Sequence, residues 1–392
     1  MNAYALARIP LAGPTDSGGP ETLDFLPLSV KEEEGRDDVL IRVEYAELNP
    51  VDLHKLRVKL PAGAPPQVVG FGGSGVIERD RQDGSGGVGT RVVFFQDARR
   101  AGSYATHIAV DRRLVIGIPK SLTLQEAATV PLAGITAFEA LFEKLRIQDA
   151  DGPSGGKALL VVGAAGGVGS WALQLARRAA TKEGKIETII ATASTETGRA
   201  WCVAQGADKV IGHDEVGALG GGPAGSVDFV LCLAPPSGFA TLAEVLRPFG
   251  RVCLVVGGEA TKALDMSFVF FKSGSVLTQT VFAKTRCGVY DQGRILQQLV
   301  DGLATGELKA PLSPELASLS GADDWQRAFA LPARPAKHGH DGQEKEAVLN
   351  RLASGHCIGK LVMKVTKRRG EGETTEAAPP PLAQWRRDAD VP

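Results

Sequence analysis

Apolar and polar positions alternate in short runs over the first third of the chain. Residues 39–45, 74–78, 91–95 and 104–110 read as short β segments, and clusters of Gly and Pro separate them. Residues 1 to about 130 therefore predict a β-rich unit. From Ser121 the period changes: residues 122–128 read as a capped helical turn, and residues 137–145 carry apolar side chains at helical spacing. A shift in composition falls near Pro131.

From Lys157 to about Leu303 short all-apolar runs alternate with helical ones. Residues 158–162, 188–193, 227–233 and 251–256 are the candidate strands, residues 168–179 and 198–205 the candidate helices, and residues 242–246 continue the alternation. Strands that are apolar on both faces and separated by helices predict a parallel sheet covered on both sides. Within 168–179, Val168, Ala172, Leu175 and Ala179 form one stripe with Arg177 and Arg178 off it, so one face packs on the sheet. Beyond Leu303 the regularity fades. Residues 334–348 are polar and aperiodic, which predicts an exposed insertion. Residues 367–392 hold three consecutive prolines and few large apolar groups, too little burial to offset the entropy of ordering, so a disordered tail is expected.

Composition narrows the function classes. A chain of 392 residues suits two domains, and 43% hydrophobic with 23% charged residues is the balance of a chain that buries a core. Lys and Arg number 44 against 45 Asp and Glu. No long basic face stands out, so nucleic-acid binding is not expected. The opening Met1-Asn2-Ala3-Tyr4-Ala5-Leu6-Ala7-Arg8 has no charged head before an apolar run, and nowhere do about 18 apolar residues occur together. No secretory or membrane segment is predicted. The scattered cysteines Cys202, Cys232, Cys253, Cys287 and Cys357 suit reduced thiols in the cytoplasm.

The strongest chemical signal is Leu159-Leu160-Val161-Val162-Gly163-Ala164-Ala165-Gly166-Gly167-Val168-Gly169, a glycine-rich turn between an apolar strand and an amphipathic helix. Gly163 would end the strand in a tight turn, and Gly166, with Gly167 and Val168, would let the backbone approach a pyrophosphate whose charge rests on helix N-terminal amides. Gly169 would permit close packing of helix on strand. Dinucleotide folds that choose NAD place a carboxylate at the end of the second strand. Here that strand ends Ala191-Thr192-Ala193-Ser194-Thr195, with no acid before Glu196. A short hydroxyl leaves room for a 2′-phosphate, which Arg199 or His213 can approach, so NADP(H) is the expected cofactor.

The order of these parts, with Leu48-Asn49-Pro50-Val51-Asp52, Val69-Gly70-Phe71-Gly72-Gly73-Ser74-Gly75-Val76, Pro131-Leu132-Ala133-Gly134-Ile135-Thr136-Ala137, Gly206-Ala207-Asp208 and the terminal Gly359-Lys360, resembles the medium-chain dehydrogenase/reductase superfamily. More narrowly it resembles the zinc-type alcohol dehydrogenase-like proteins grouped with quinone oxidoreductases. The resemblance spans roughly residues 40–366. It implies an α/β fold: a β-rich GroES-like catalytic domain over 1–132 and 303–366, and a Rossmann-type, doubly wound NADP(H)-binding domain over 133–302. Two positions depart from the family pattern. Phe71-Gly72 stands where Trp-Asp is common, and Thr195 stands where Arg often follows the serine.

By the same resemblance, a catalytic zinc would need Cys in the segment holding Asn49 and His after Gly70, where this chain has Phe71. An amide and a phenyl ring do not replace a thiolate and an imidazole, and no Cys precedes Cys202 to build a structural-zinc lobe. His338 and His340 fall in the polar insertion, while His54 and His107 each stand alone, so no metal is expected. Without a metal, the substrate expected is one that accepts hydride readily, a quinone or an α,β-unsaturated carbonyl. The resemblance places Asn49, Asp52 and Thr136 at the catalytic cleft with Phe71 beside them to bind substrate. Two readings of the first pair stand: Asn49 donates to the substrate carbonyl, or Asn49 caps the turn into Pro50 and Asp52 the helix after it. The alternatives in function are a zinc-type alcohol dehydrogenase and a nucleotide-binding sensor without turnover. Members of the family commonly pair the edge strands of their dinucleotide domains, so the resemblance implies a homodimer, and residues 275–282 alternate in a manner that suits such an exposed edge.

Overall fold

The computed structural model describes residues 2–9, 22–30, 37–57, 64–80, 87–149, 157–183, 186–220, 224–234, 238–257, 261–262, 264–314, 355 and 357–365. The insertion expected at 334–348 and the tail expected at 367–392 lie outside the described residues.

The first third of the chain forms β1 (Asn2–Ile9), β2 (Thr22–Ser29), β3 (Asp38–Glu47), α1 (Pro50–Arg57), β4 (Gln67–Val68), β5 (Gly72–Asp80), β6 (Arg91–Phe95), β7 (His107–Asp111) and β8 (Val115–Gly117). β1 pairs antiparallel with β2 and β4 in a small sheet. β3 lies at the centre of a second sheet, paired antiparallel with β5 and β7, and β6 and β8 follow beyond β5. Gly73 and Gly75 on β5 are there because the sheet is tight: a Cβ would lie 2.3 Å from the Tyr45 carbonyl oxygen and 2.1 Å from that of Arg42. Ile41, Val43, Phe94 and Phe95 are buried in this unit. The expected run over 104–110 becomes a strand only from His107, since the backbone before it pairs elsewhere: Tyr104 N–H donates to the Val69 carbonyl at 2.9 Å and Ala105 bridges Ala5 of β1.

A helical passage then crosses to the second unit. Thr123 caps α2 (Leu124–Ala127) in a reciprocal box with Glu126, and α3 (Pro131–Phe138) begins with proline at its first position, where the missing N–H is no loss. The helical spacing over 137–145 is realised in two geometries, since α3 widens into a π-helical turn over Glu139–Lys144. Glu139 on that turn is buried, and Gln279, Gln292 and Lys284 all meet its carboxylate. Hydrophobic period alone does not register the extra residue that a π turn holds.

β9 (Lys157–Val162), α4 (Gly167–Glu183), β10 (Ile186–Thr192), α5 (Glu196–Ala204), β11 (Lys209–Ile211), β12 (Val227–Cys232), α6 (Phe239–Val245), β13 (Leu246–Leu254), α7 (Ser267–Phe271), β14 (Ser275–Thr278), α8 (Ala283–Arg286) and α9 (Gln292–Ala304) follow. The strands form one parallel sheet in the order β11-β10-β9-β12-β13-β14. The order reverses between β9 and β12, the switch point at which a crevice opens past the strands' carboxyl ends in a doubly wound sheet. This is the Rossmann-type fold expected from the sequence, joined to the β-rich unit. On α4, Trp171, Ala172 and Leu175 are buried against the sheet, and the Trp171 indole donates to the Thr129 carbonyl at 3.0 Å, tying α4 to the passage before it.

The chain closes on its own beginning. β15 (Val362–Lys364) pairs antiparallel with β3, and just ahead of it Gly359 forms a parallel bridge with Gly166. One short segment thus touches both units.

Candidate active site

The glycine turn lies at the switch point. Gly163 has φ +77°, a left-handed conformation that strains any side chain, and its N–H donates to Thr192 Oγ1 at 2.9 Å. Gly169 is needed for close approach, since a Cβ there would lie 2.3 Å from the Ala164 carbonyl oxygen. At Gly167 an added Cβ would lie 2.9 Å from Lys360 Cδ. Gly166 differs from both: no atom lies within 4 Å of its would-be Cβ, so it fronts open space at the start of the 17-residue α4. Exposed first-turn amides and the positive end of a helix dipole suit an anion. Gly163, Gly166, Gly167, Val168 and Gly169 therefore fit the pyrophosphate of a dinucleotide.

At the end of β10, Thr192 is buried while Ser194 and Thr195 are exposed. Thr195 Oγ1 is occupied as the cap of α5, accepting from Gly198 N–H at 3.1 Å. His213, past the end of β11, lies 2.9 Å from Thr192 Oγ1, and burial holds its imidazole below the ordinary value. Through Thr192 a single hydroxyl links His213 to the Gly163 turn. Arg199 extends from α5 toward Glu215, with 3.5 Å between the charges. The structure thus brings Ser194, Thr195, Arg199 and His213 to one end of β10 and β11, with an acid already beside the arginine.

The densest chemistry is buried at the junction of β3, α1 and the return segment. Glu47, Asn49, Asp52, Tyr104 and Lys360 are each 3% exposed or less. Asp52, in the first turn of α1, accepts from Asn49 N–H at 2.7 Å and so caps the helix. The Asn49 side chain does not cap: its Oδ1 accepts from the Lys360 ammonium. Lys360 also donates to the Leu48 carbonyl at 3.0 Å and pairs with Glu47 Oε2 at 3.0 Å, while Glu47 Oε1 accepts from Leu132 N–H at 2.8 Å. The Tyr104 hydroxyl lies 2.7 Å from Asp52 Oδ2 and 3.2 Å from the Glu47 carbonyl. Burial pushes the Asp52 carboxyl up to about 7, against the downward pull of the Tyr104 and Asn49 hydrogen bonds and the Lys360 charge. Burial, together with the Asp52 and Glu47 charges, pushes the Tyr104 hydroxyl well above its ordinary value. Asn49 Nδ2, Asp52 Oδ1 and Ser103 Oγ are buried without a hydrogen-bond partner. Since buried polar atoms are nearly always paired, this cluster is where a polar group of a ligand would be received.

Thr136 on α3 is buried and donates to the Leu132 carbonyl at 2.7 Å, one residue contact from Glu47. Phe71 packs its ring 4.6 Å from that of Phe282, which follows β14, and the Lys55 ammonium lies 5.0 Å over Phe71. Arg99 spans the same junction, donating to the Thr285 carbonyl at 2.7 Å while paired with Asp97 at 2.6 Å. Sequence reasoning singled out Asn49, Asp52, Phe71 and Thr136 but not Glu47, Ser103 or Tyr104, and it noted Lys360 only as part of a motif. The available signal was a charge inside an apolar run, Ile358-Gly359-Lys360-Leu361-Val362.

A catalytic zinc does not fit these residues. Asn49 offers an amide already engaged by an ammonium, Phe71 offers a ring packed on another ring, and among the described residues no three His, Cys, Asp or Glu side chains are grouped to hold a metal ion.

Comparison with known proteins accords with this arrangement. Residues 35–135 match the alcohol dehydrogenase GroES-like domain. A zinc-type alcohol dehydrogenase-like protein of Staphylococcus aureus is 31% identical over 252 residues, 63% of this chain and 72% of that protein. Human quinone oxidoreductase is 28% identical over 300 residues, 74% of this chain and 85% of that protein. A crystal structure from Rhizobium etli CFN 42, described as a zinc-dependent alcohol dehydrogenase protein, superposes with a TM-score of 0.72 at 28% identity, covering 93% of this chain and 99% of that one. The chain belongs to the medium-chain dehydrogenase/reductase superfamily, as an oxidoreductase related to the zinc-type alcohol dehydrogenase-like proteins and the quinone oxidoreductases.

Proposed function

We propose that the protein is an NADPH-dependent reductase of quinones or α,β-unsaturated carbonyl compounds that works without catalytic zinc. One observation carries the reading: Asn49 stands where the superfamily's metal site would need a thiolate, and its buried Nδ2 has no partner. An amide donor suits an oxygen that gains negative charge as hydride arrives, and a substrate with a delocalised acceptor needs no more than hydrogen bonds there. When bound, NADPH supplies the hydride; NADPH, a proton and a quinone give NADP+ and a hydroquinone. Asp52, pushed up to about 7 by burial, is about half protonated at neutral pH, and Oδ1 is its unpartnered atom. That proton is the one assigned to the reduced substrate. Phe71 binds the planar substrate, and Thr136 supports the wall behind it.

NADPH is preferred to NADH because Ser194 and Thr195 present hydroxyls rather than a carboxylate where the adenosine ribose would lie, with His213 and Arg199 alongside. A homodimer is proposed along β14, which closes one edge of the parallel sheet. Phe249, Phe268, Phe270 and Phe271 are exposed beside that edge, and such aromatic side chains favour burial in an interface. The proposed compartment is the cytoplasm. Among the described residues no helix is long and apolar enough to cross a membrane, and none of the cysteines is in a disulfide. Burial pushes the Cys202 and Cys253 thiols up to about 12, which suits inert core residues.

The test is NADPH oxidation with para-benzoquinone, methyl vinyl ketone and a saturated ketone, alongside elemental analysis of the purified protein. The expected result is turnover on the first two without stoichiometric zinc. Turnover only on the saturated ketone with bound zinc overturns the reading, as does tight NADPH binding with no turnover on any acceptor.

A further inference from the structure

An ammonium has three hydrogens to give and no lone pair to receive. Lys360 donates to the Leu48 carbonyl and to Asn49 Oδ1, and the Glu47 carboxylate lies beside it as an ion pair, with Oε2 at 3.0 Å. The atom it meets on Asn49 has to be the oxygen, because an amide nitrogen there would set donor against donor. The amide group is planar, so directing Oδ1 to Lys360 fixes Nδ2 on the other branch. That is the atom left buried without a partner. A free asparagine rotates its amide and offers oxygen or nitrogen alike; this one does not, since turning it would break a charge-assisted hydrogen bond inside the protein.

The lysine is itself held by the dinucleotide turn. Gly359 N–H donates to the Ala165 carbonyl at 2.8 Å, and the stem of Lys360 runs so close to Gly167 that a Cβ there would lie 2.9 Å from Lys360 Cδ. The base of the side chain rests on the turn and its ammonium reaches Asn49.

We infer that Lys360 is a positioning residue that locks the Asn49 amide in the single orientation that offers its Nδ2 hydrogens to the substrate carbonyl oxygen. The inference rests on the proposed role of Asn49 as donor to that oxygen. It differs from the plain reading in which Lys360 only neutralises Glu47, because it makes Lys360 useful only while Asn49 is an amide.

A double-mutant cycle separates the two. Asn49→Ala and Lys360→Met are each expected to lower kcat/KM for para-benzoquinone by about 100-fold, the loss typical of one donor to a developing oxyanion. Combined, they are expected to cost no more than about threefold beyond the worse single change, since both remove the same donor. The dissociation constant for NADPH is expected to stay within about threefold throughout. Acetophenone binding to the nucleotide-free protein, measured by calorimetry, is expected to weaken equally in both single variants and no further in the double. Glu47→Gln/Lys360→Met leaves no unpaired charge, so it carries the cycle should Lys360→Met fail to fold. It is expected to be as impaired as Asn49→Ala. Additive losses, or normal kcat/KM in the folded Glu47→Gln/Lys360→Met protein, overturn the inference. Absence of quinone turnover in the wild-type protein sinks the proposed function instead, while the calorimetric cycle still reads the coupling of Asn49 to Lys360.

Discussion

Asp52 joins two demands in one carboxyl group, capping α1 and holding a proton. Its folded value of about 7 stands above the 3.8 of the free side chain, so the folded protein keeps a proton that the unfolded chain releases. The stability from this group is therefore full below about pH 4 and declines as pH rises to about 7, by up to about 4 kcal/mol if it acted alone. Asp52→Asn is expected to flatten the pH dependence of the melting temperature over that range and, if the proton is used in turnover, to abolish the fall in kcat above about pH 7. A variant with the wild-type pH profile in both measurements would remove Asp52 from the proton's path. At the cofactor end, Ser194→Asp is expected to shift the ratio of kcat/KM for NADH over NADPH upward by about tenfold or more, because the carboxylate repels a 2′-phosphate and accepts from free ribose hydroxyls. An unchanged ratio would place the phosphate elsewhere. Asn49 and Asp52 were placed at the cleft by the family resemblance, and the turn into Pro50 marked them as a helix start. Lys360 and Tyr104 were not legible, since the lysine meets Asn49 across 311 positions and the tyrosine meets Asp52 across 52. Local pattern carries no information about such pairs.

At the scale of elements, the turn from β9 into α4 contains two glycines that look alike in sequence and differ in space. Gly166→Val is expected to leave the far-ultraviolet circular dichroism and melting temperature near wild type, since its side chain would enter open space, while NADPH no longer quenches tryptophan fluorescence. Gly169→Ala is expected to destabilise the protein by about 1–3 kcal/mol, because its methyl group would collide with the Ala164 backbone. Normal NADPH binding by a folded Gly166→Val protein would contradict the assignment of the turn. The strand and helix of this unit were readable beforehand for a physical reason: apolar runs buried on both faces and a one-sided helix leave strong periodic signatures. The π-helical turn at Glu139 was not, because the partners of that glutamate lie on later elements. The helix start at Asn49 was read as two alternatives, and the structure divides them: the carboxylate of Asp52 caps, and the amide of Asn49 faces a lysine.

At the scale of the whole molecule, Phe270, 87% exposed on α7, tests the proposed assembly. Phe270→Glu is expected to change the stability of the isolated subunit by no more than about 0.5 kcal/mol, while sedimentation velocity shows a dimer for the wild type and a monomer for the variant. Matching sedimentation would move the interface off this edge. The parallel sheet and the β-rich unit could each be anticipated from periodicity, whereas the way they meet, through Phe71 on Phe282 and Arg99 on Thr285, could not, because those contacts obey no local period. The return of the chain to β3 also bears on the order of synthesis. A ribosome that has reached residue 314 has already made every strand of the parallel sheet, yet Lys360, which meets Asn49, and β15, which pairs β3 alongside β5 and β7, have still to be translated. Long-range strand pairing of this kind is intrinsically slow to form. A nascent chain can therefore have the glycine turn in place before the segment that completes the buried cluster around Asn49 exists.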